Sequence, residues 1–305
     1  MKVSFLGLGA IGRPMARHLA AGPFGLRVWN RTASRAAVFA AAHGAKQALT
    51  PAEAARGADV VITCFPVSAD VEGILEGADG LLATMSRGSV LVDCTSGDPA
   101  TSRRIAERLA EAGIGFLDAP VSGGTAGAEA GTLTVMVGGD GRLLDKVRPA
   151  LAAFGQRIVH CGPVGAGHAV KAVNNALLAQ HIAALTEGLI ALQNAGVTPA
   201  LALEVINASS GRSNTSEHLF PARVLTRAFP RTFRLALLAK DARIAAQLAA
   251  EQGLDAPNLE LTARLFRDAH RALGDEADHV EIVKWIERRA EVELAAVARG
   301  AGPAS

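Results

Sequence analysis

Lys171 and Asn175 are the pair in this sequence best suited to handling a proton. They stand in the segment 165–175, GAGHAVKAVNN. On a helix, Gly167, Lys171 and Asn175 fall at i, i+4 and i+8 and share one face. An amine there can take up or return a proton, an amide can orient a hydroxyl, and a residue without a side chain leaves room for a flat ring. Val170, Ala172 and Val173 flank the lysine, and desolvation in such a setting lowers a lysine's pKa toward the range an acid/base catalyst needs. The competing reading is a surface lysine on an amphipathic helix. A second segment, 118–124 (DAPVSGG), sets Ser122, Gly123 and Gly124 after a strand. Successive backbone N–H groups and one hydroxyl in that order can form a nest for a carboxylate; the alternative is an ordinary flexible loop.

Gly7, Leu8, Gly9, Ala10, Ile11 and Gly12 follow the first apolar run and precede the first amphipathic one. This is GxGxxG in the strand-to-helix context that a dinucleotide site requires. The first glycine permits the tight turn, the second lets backbone approach a pyrophosphate, and the third lets helix pack on strand. At the end of the second run stand Asn30, Arg31 and Thr32, with no carboxylate. An acidic residue there would favour NAD through the ribose 2′-hydroxyl. Asn30 can instead bond a ribose oxygen without repelling phosphate, Arg31 can pair with a 2′-phosphate, and Thr32 adds a hydroxyl. The expected cofactor is NADP, with NAD as the alternative if Arg31 is merely solvated.

The elements that must hold these groups show in the patterning. Short runs rich in Val, Ile, Leu and Phe at 3–6, 26–29, 59–64 and 89–93 read as strands, with helices at 13–21, 34–42, 69–76 and 99–112 between them. Pro14, Pro51 and Pro99 fall near helix starts, where a missing N–H costs little. Further strands are expected at 115–118, 133–137 and 157–160. Such alternation implies a parallel sheet covered on both faces. From Ala169 to about Asn194 apolar residues recur at helical spacing, and beyond Pro199 no strand is convincing. The expected fold is α/β: an N-terminal Rossmann-type doubly wound sheet over 1–164, followed by an all-helical domain over 165–305 whose segment 165–195 is a long connecting helix. The closing GAGPAS reads as a frayed tail.

Composition excludes several other classes. The 305 residues suggest about two domains, and 31 basic against 29 acidic side chains leave a charge of +2, without the basic stripe that nucleic-acid binding needs. With half the residues hydrophobic, global disorder is excluded. Cys64, Cys94 and Cys161 lie far apart and show no metal-ligand spacing; they read as core filler in a reducing, cytoplasmic setting. No metal site is expected. Glycines at 7, 9 and 12 and arginines at 13 and 17 spoil the start as a secretory signal. The longest uncharged run considered, 188–203, is too short to span a bilayer, so no membrane partner is expected.

Four ordered segments, GLGAIGRPMA (7–16), DAPVSGGTAGAEAGTLTVMVGG (118–139), GAGHAVKAVNN (165–175) and Ala239-Lys240-Asp241, resemble the β-hydroxyacid dehydrogenase family over nearly the whole chain. The resemblance implies reversible hydride transfer between NADP(H) and a short 3-hydroxy acid or its semialdehyde. It gives Lys171 the role of general acid/base, Ser122, Gly123 and Gly124 the substrate carboxylate, and Asn175 the reacting hydroxyl. Lys240 would close over the nicotinamide end from the helical domain with Asp241 beside it, while Phe65, Pro66, Thr95 and Ser96 would line the cofactor, Asp70 being a looser match. Ile11 stands where the family often has Met, and Ala242 replaces its usual Leu. Segment 207–213 resembles a family segment near the substrate, where Arg212 either reaches an anionic group or lies on the surface. 6-Phosphogluconate dehydrogenases share the early motifs on longer chains, imine reductases share the architecture but generally lack this lysine, and a non-catalytic NADP-binding module is the rival of another class. A homodimer or homotetramer is expected, because the long helix and Ala-rich half offer more apolar surface than one thin domain hides.

Overall fold

The computed structural model describes residues 1–294, so the expected frayed tail lies outside the described residues. Two compact units divide the chain, Met1–Ala172 and a second from Val173 onward.

Nine strands form one sheet in the first unit: β1 (Lys2–Leu6), β2 (Gly25–Trp29), β3 (Lys46–Gln47), β4 (Val60–Thr63), β5 (Val90–Asp93), β6 (Gly115–Asp118), β7 (Val121–Ser122), β8 (Leu133–Gly139) and β9 (Gly155–Gly162). Helices α1 (Gly12–Ala21), α2 (Ala33–His43), α3 (Pro51–Ala55), α4 (Ser68–Glu72), α5 (Pro99–Glu111), α6 (Gly124–Ala130) and α7 (Gly141–Leu151) connect them. The sheet order β3-β2-β1-β4-β5-β6-β8-β7, with β9 on β8, is that of a doubly wound dinucleotide fold. Period-two alternation sorts the strand side chains to two cores. Val3, Phe5, Val60, Ile62, Val90 and Val92 join one, while Leu6, Val61 and Leu91 join the other with Ile105 and Leu109 of α5. Both faces are therefore covered.

The sheet is not wholly parallel. The strands from β3 to β6 run parallel, but β8 enters antiparallel to β6 and to β7. The connection from β6 is taken up by β7, laid back against β8, and by the short α6, so the chain returns running the other way. A second departure is α4, expected to reach residue 76. It ends at Glu72 with Gly73 as its cap, the Gly73 N–H donating to the Ala69 carbonyl. Helix starts obey local rules: Thr50 and Asp98 cap α3 and α5, each with proline in the first turn.

The long helix α8 spans Ala166–Asn194, against the 165–195 expected for the connecting helix. It is long and apolar enough to cross a membrane by length and composition, and its Ile182, Leu189 and Ile190 belong to the helical core. The second unit continues with α9 (Pro199–Asn207), a π-helical segment (Thr215–Val224), α10 (Leu235–Glu251), α11 (Pro257–Leu273), a 3-10 turn (His279–Glu281) and α12 (Ile282–Ala290). Phe220, Leu235, Leu238, Phe266 and Val280 fill its core. Asp278 ties the start of α10 to the turn before α12, its carboxylate accepting from the backbone N–H groups of Thr232, Phe233 and Val280. Among the described residues this unit has no strand, only a bridge between Arg234 and Asp278.

Candidate active site

The three glycines of the first turn meet three different demands. Gly7 has φ +105°, and a Cβ there would overlap the carbonyl oxygen of Cys64. At Gly12 a Cβ would overlap the carbonyl oxygen of Gly7, so the helix could not lie so close to the strand. Gly9 faces open space within 4 Å and is exposed, the condition for a bulky ligand to approach the backbone. Leu8 is buried against the core, while Ala10 is exposed and Ile11 half-buried.

A cleft of about 190 Å³ opens beside this turn, lined by Gly7, Gly9, Asn30, Arg31, Thr32, Phe65 and Pro66. Trp29 and Phe65 form one wall, edge to face at 6.3 Å. Arg31 extends into solvent with its side chain 86% exposed, 3.7 Å from the Asp70 carboxylate. Asn30 serves the turn itself: its Oδ1 accepts from the Leu8 N–H at 2.9 Å and its Nδ2 donates to the Thr32 carbonyl at 3.1 Å. Sequence reasoning aimed this side chain at a ribose and missed the turn it braces. It also passed over Arg35, which lines the same cleft from the first turn of α2. A second arginine one helical turn after Arg31 was the signal available. Cys64 lines the cleft too; burial, with the charge of Asp93 adding, pushes its thiol up to about 12, so it contributes a neutral wall. Burial likewise raises the Cys94 and Cys161 thiols.

The loop after β5 joins this wall. Thr95 is buried, its Oγ1 accepts from the Phe65 N–H at 3.0 Å, and its own N–H donates to Asp93. Ser96 follows, half-buried. These groups, the glycine turn and the cationic β2 end fit a dinucleotide: open backbone for a pyrophosphate, a flat hydrophobic wall, and two guanidinium groups.

Ser122 ends β7, opposite Thr134 in the sheet. Gly123 and Gly124, at φ +132° and +63°, lead into α6 and are both exposed, a turn that presents backbone to solvent. Asp118, one strand earlier and fully buried, fixes α8. Its Oδ1 accepts from the Gly165 N–H at 2.7 Å and its Oδ2 from the His168 N–H at 2.9 Å. A carboxylate on the first N–H groups of a helix satisfies donors that have no intrahelical partner. Gly167 is required by the same contact: a Cβ there would overlap the Met136 carbonyl and come within 2.9 Å of the Asp118 carboxylate. The room expected for a ring is occupied by the protein's own strand ends. Lys171 lies a turn further along α8, half-buried.

In the second unit, Asn175 is 3% exposed, and its Nδ2 donates to Asp241 at 2.6 Å. The other oxygen of Asp241 pairs with Lys240 Nζ at 3.0 Å. One buried carboxylate thus holds both residues that sequence reasoning had singled out separately. Arg212 is 63% exposed and 3.8 Å from Glu217. Among the described residues no group of three or more His, Cys, Asp and Glu side chains is arranged to hold a metal.

Comparison with known proteins matches residues 2–162 to the NAD-binding domain family of 6-phosphogluconate dehydrogenase, and residues 165–286 to the NAD-binding family of NADP-dependent 3-hydroxyisobutyrate dehydrogenase. The 2-(hydroxymethyl)glutarate dehydrogenase of Eubacterium barkeri is 37% identical over 90% of each chain. The NAD-dependent L-serine dehydrogenase of Pseudomonas aeruginosa is 38% identical, over 87% of this chain and 91% of that protein. Among solved structures, the Mycobacterium tuberculosis 3-hydroxyisobutyrate dehydrogenase with L-serine superimposes with a TM-score of 0.85 at 30% identity, covering 93% of this chain and 98% of that one. Dinucleotide cleft, helical second unit and whole-length likeness agree, and the chain belongs to the β-hydroxyacid dehydrogenase family as an NAD(P)-dependent hydroxyacid dehydrogenase.

Proposed function

We propose that the chain oxidises a short 3-hydroxy acid to its semialdehyde, or runs the reverse reduction, with NADP(H) as cofactor and Lys171 as general acid/base. The observation that carries the cofactor choice is the pair of arginines, Arg31 and Arg35, in the cleft where an NAD site would carry a carboxylate. The relatives named for 3-hydroxyisobutyrate, L-serine and 2-(hydroxymethyl)glutarate share one chemical element, a primary hydroxyl on the carbon β to a carboxylate. That element is the substrate class proposed here.

When bound, the nicotinamide ring supplies the hydride chemistry. The chain's own residues do the rest. Ser122, Gly123 and Gly124 hold the substrate carboxylate by a hydroxyl and backbone N–H groups. Lys171 Nζ takes the hydroxyl proton during oxidation and returns it during reduction. Asn175 orients that hydroxyl from the next turn of α8, its amide held by Asp241. Phe65, Pro66, Thr95 and Ser96 would flank the dinucleotide, and the family resemblance assigns Lys240 to its nicotinamide end. Self-association through exposed apolar side chains of the helical unit, among them Leu177, Leu201 and Val205, belongs to the same reading.

Absorbance of reduced nicotinamide, followed with a panel of 3-hydroxy acids and semialdehydes and with both cofactors, tests the substrate class. Replacing Lys171 by Ala lowers turnover by roughly 10²–10⁴ through lost acid/base catalysis and leaves NADPH affinity within about two-fold. Near-normal turnover in that variant would reject the assignment.

A further inference from the structure

His168 is fully buried three residues before Lys171, and the mechanism above leaves it unused. Its Nε2 lies 2.8 Å from the Thr95 carbonyl and its Nδ1 lies 2.6 Å from Ser102 Oγ. A carbonyl only accepts, so Nε2 carries a proton and donates. Nδ1 faces the hydroxyl of α5, which is also 3.0 Å from the Asp98 carbonyl. The ring is thus bonded at both nitrogens to elements distant in sequence. It also rests against the chain at Gly97, where an added Cβ would stand 2.7 Å from His168 Cε1, so the ring has no slack on that side.

These contacts continue to the cleft. Thr95, which receives the imidazole proton at its carbonyl, accepts the Phe65 N–H at its hydroxyl. Phe65 is a wall of the dinucleotide cleft. From the other side, the His168 backbone N–H is held by Asp118. One side chain therefore joins the first turn of the helix bearing Lys171 to the two strand-end loops beside the cofactor cleft.

We propose that His168 is a positioning residue, which sets the register between the Lys171-bearing turn and the Phe65 and Thr95 loops through its hydrogen bond to Thr95. The inference rests on the cofactor and lysine roles given above and adds the residue that couples them. An apolar side chain of similar bulk would fill the space without donating to Thr95, whereas glutamine keeps an N–H in reach of that carbonyl.

The test compares full-length His168→Leu, His168→Gln and Ser102→Ala with the unmodified chain. NADPH affinity is read by fluorescence titration, kcat by reduced-nicotinamide absorbance, and folding by thermal melting. The expected result is ten-fold or greater weakening of NADPH binding together with a ten-fold or greater fall in kcat for His168→Leu. Glutamine restores both to within three-fold, and Ser102→Ala, which removes only the second bond, weakens NADPH binding two- to five-fold. A folded leucine variant with unchanged affinity and kcat overturns the proposal. So does equal impairment by leucine and glutamine, since shape and not the donated bond would then matter. If the leucine variant does not fold, His168→Met, likewise apolar and without a donor for Thr95, is read in its place: weakened NADPH binding supports the proposal and unchanged binding overturns it. Absence of turnover in the unmodified chain with every substrate would sink the hydroxyacid reading instead, and leave the NADPH comparison of the variants intact.

Discussion

Removing Arg31 should separate the two nicotinamide cofactors, and the structure sets the size of the effect. The guanidinium is 86% exposed, so its attraction for a 2′-phosphate acts across nearly bulk water. A phosphate monoester carries a charge of about −1.5 to −2, and at a separation of about 4 Å in water each unit pair contributes about 1 kcal/mol. Arg31→Ala therefore forfeits about 1.5–2 kcal/mol, a rise of about 10- to 30-fold in the NADP KM, while the NAD KM stays within about two-fold. Asp70, 3.7 Å from the same guanidinium, competes for it. An ion pair so exposed contributes no more than about 1 kcal/mol, so Asp70→Asn tightens NADP by about five-fold at most and leaves NAD alone. Steady-state kinetics with both cofactors at fixed ionic strength reads all four values, and the Arg31 effect should shrink as salt is raised. Equal weakening of NAD and NADP by Arg31→Ala would refute the phosphate argument, because the lost contact would then belong to the part the cofactors share.

Asp241→Ala leaves Asn175 and Lys240 without the buried carboxylate that joins them, and breaking such a pair costs about 3–5 kcal/mol; urea unfolding measures it, and a loss under about 0.5 kcal/mol would contradict the geometry. Asp278→Asn concerns acid stability of the helical unit. Burial works to raise the Asp278 carboxyl, but the bond and charge of His279 and the backbone N–H groups of Phe233 and Thr232 outweigh it and hold the group well below the usual carboxylate range. A group lowered in the folded state contributes its full stabilisation above its unfolded value, about 3.9, and loses it as pH falls further. The stability gap between the unmodified chain and Asp278→Asn is therefore expected to narrow as pH falls below about 4. A gap that does not change down to pH 3 would count against this account.

Much of the fold was legible because it follows from local patterning. The apolar runs at 3–6, 26–29, 59–64 and 89–93 each coincide with a strand, since period-two sorting of Val, Ile, Leu and Phe to two faces shows in any window of the chain. The glycine turn was equally legible, down to the separate reasons for Gly7, Gly9 and Gly12, because left-handed φ and missing Cβ atoms are properties of single residues. Composition could not show that β8 runs antiparallel to β6, since an apolar run carries no direction. Arg35 was missed for a related reason: its relevance depends on which way the first turn of α2 faces.

Residue types and spacing by themselves determined that this chain builds a dinucleotide turn, a two-faced sheet and a long helix carrying Lys171 and Asn175. Those outcomes are local, decided by backbone sterics and hydrophobic period within a few turns of chain. Tertiary structure alone decided the partners: Asp118 capping α8 across 47 residues, Asp241 gathering Asn175 and Lys240, Asn30 bracing the glycine turn, and His168 reaching Thr95 across 73 residues. A buried hydrogen bond has a definite distance and direction in space, and no spacing along the sequence encodes which distant donor and acceptor the packed core will bring face to face.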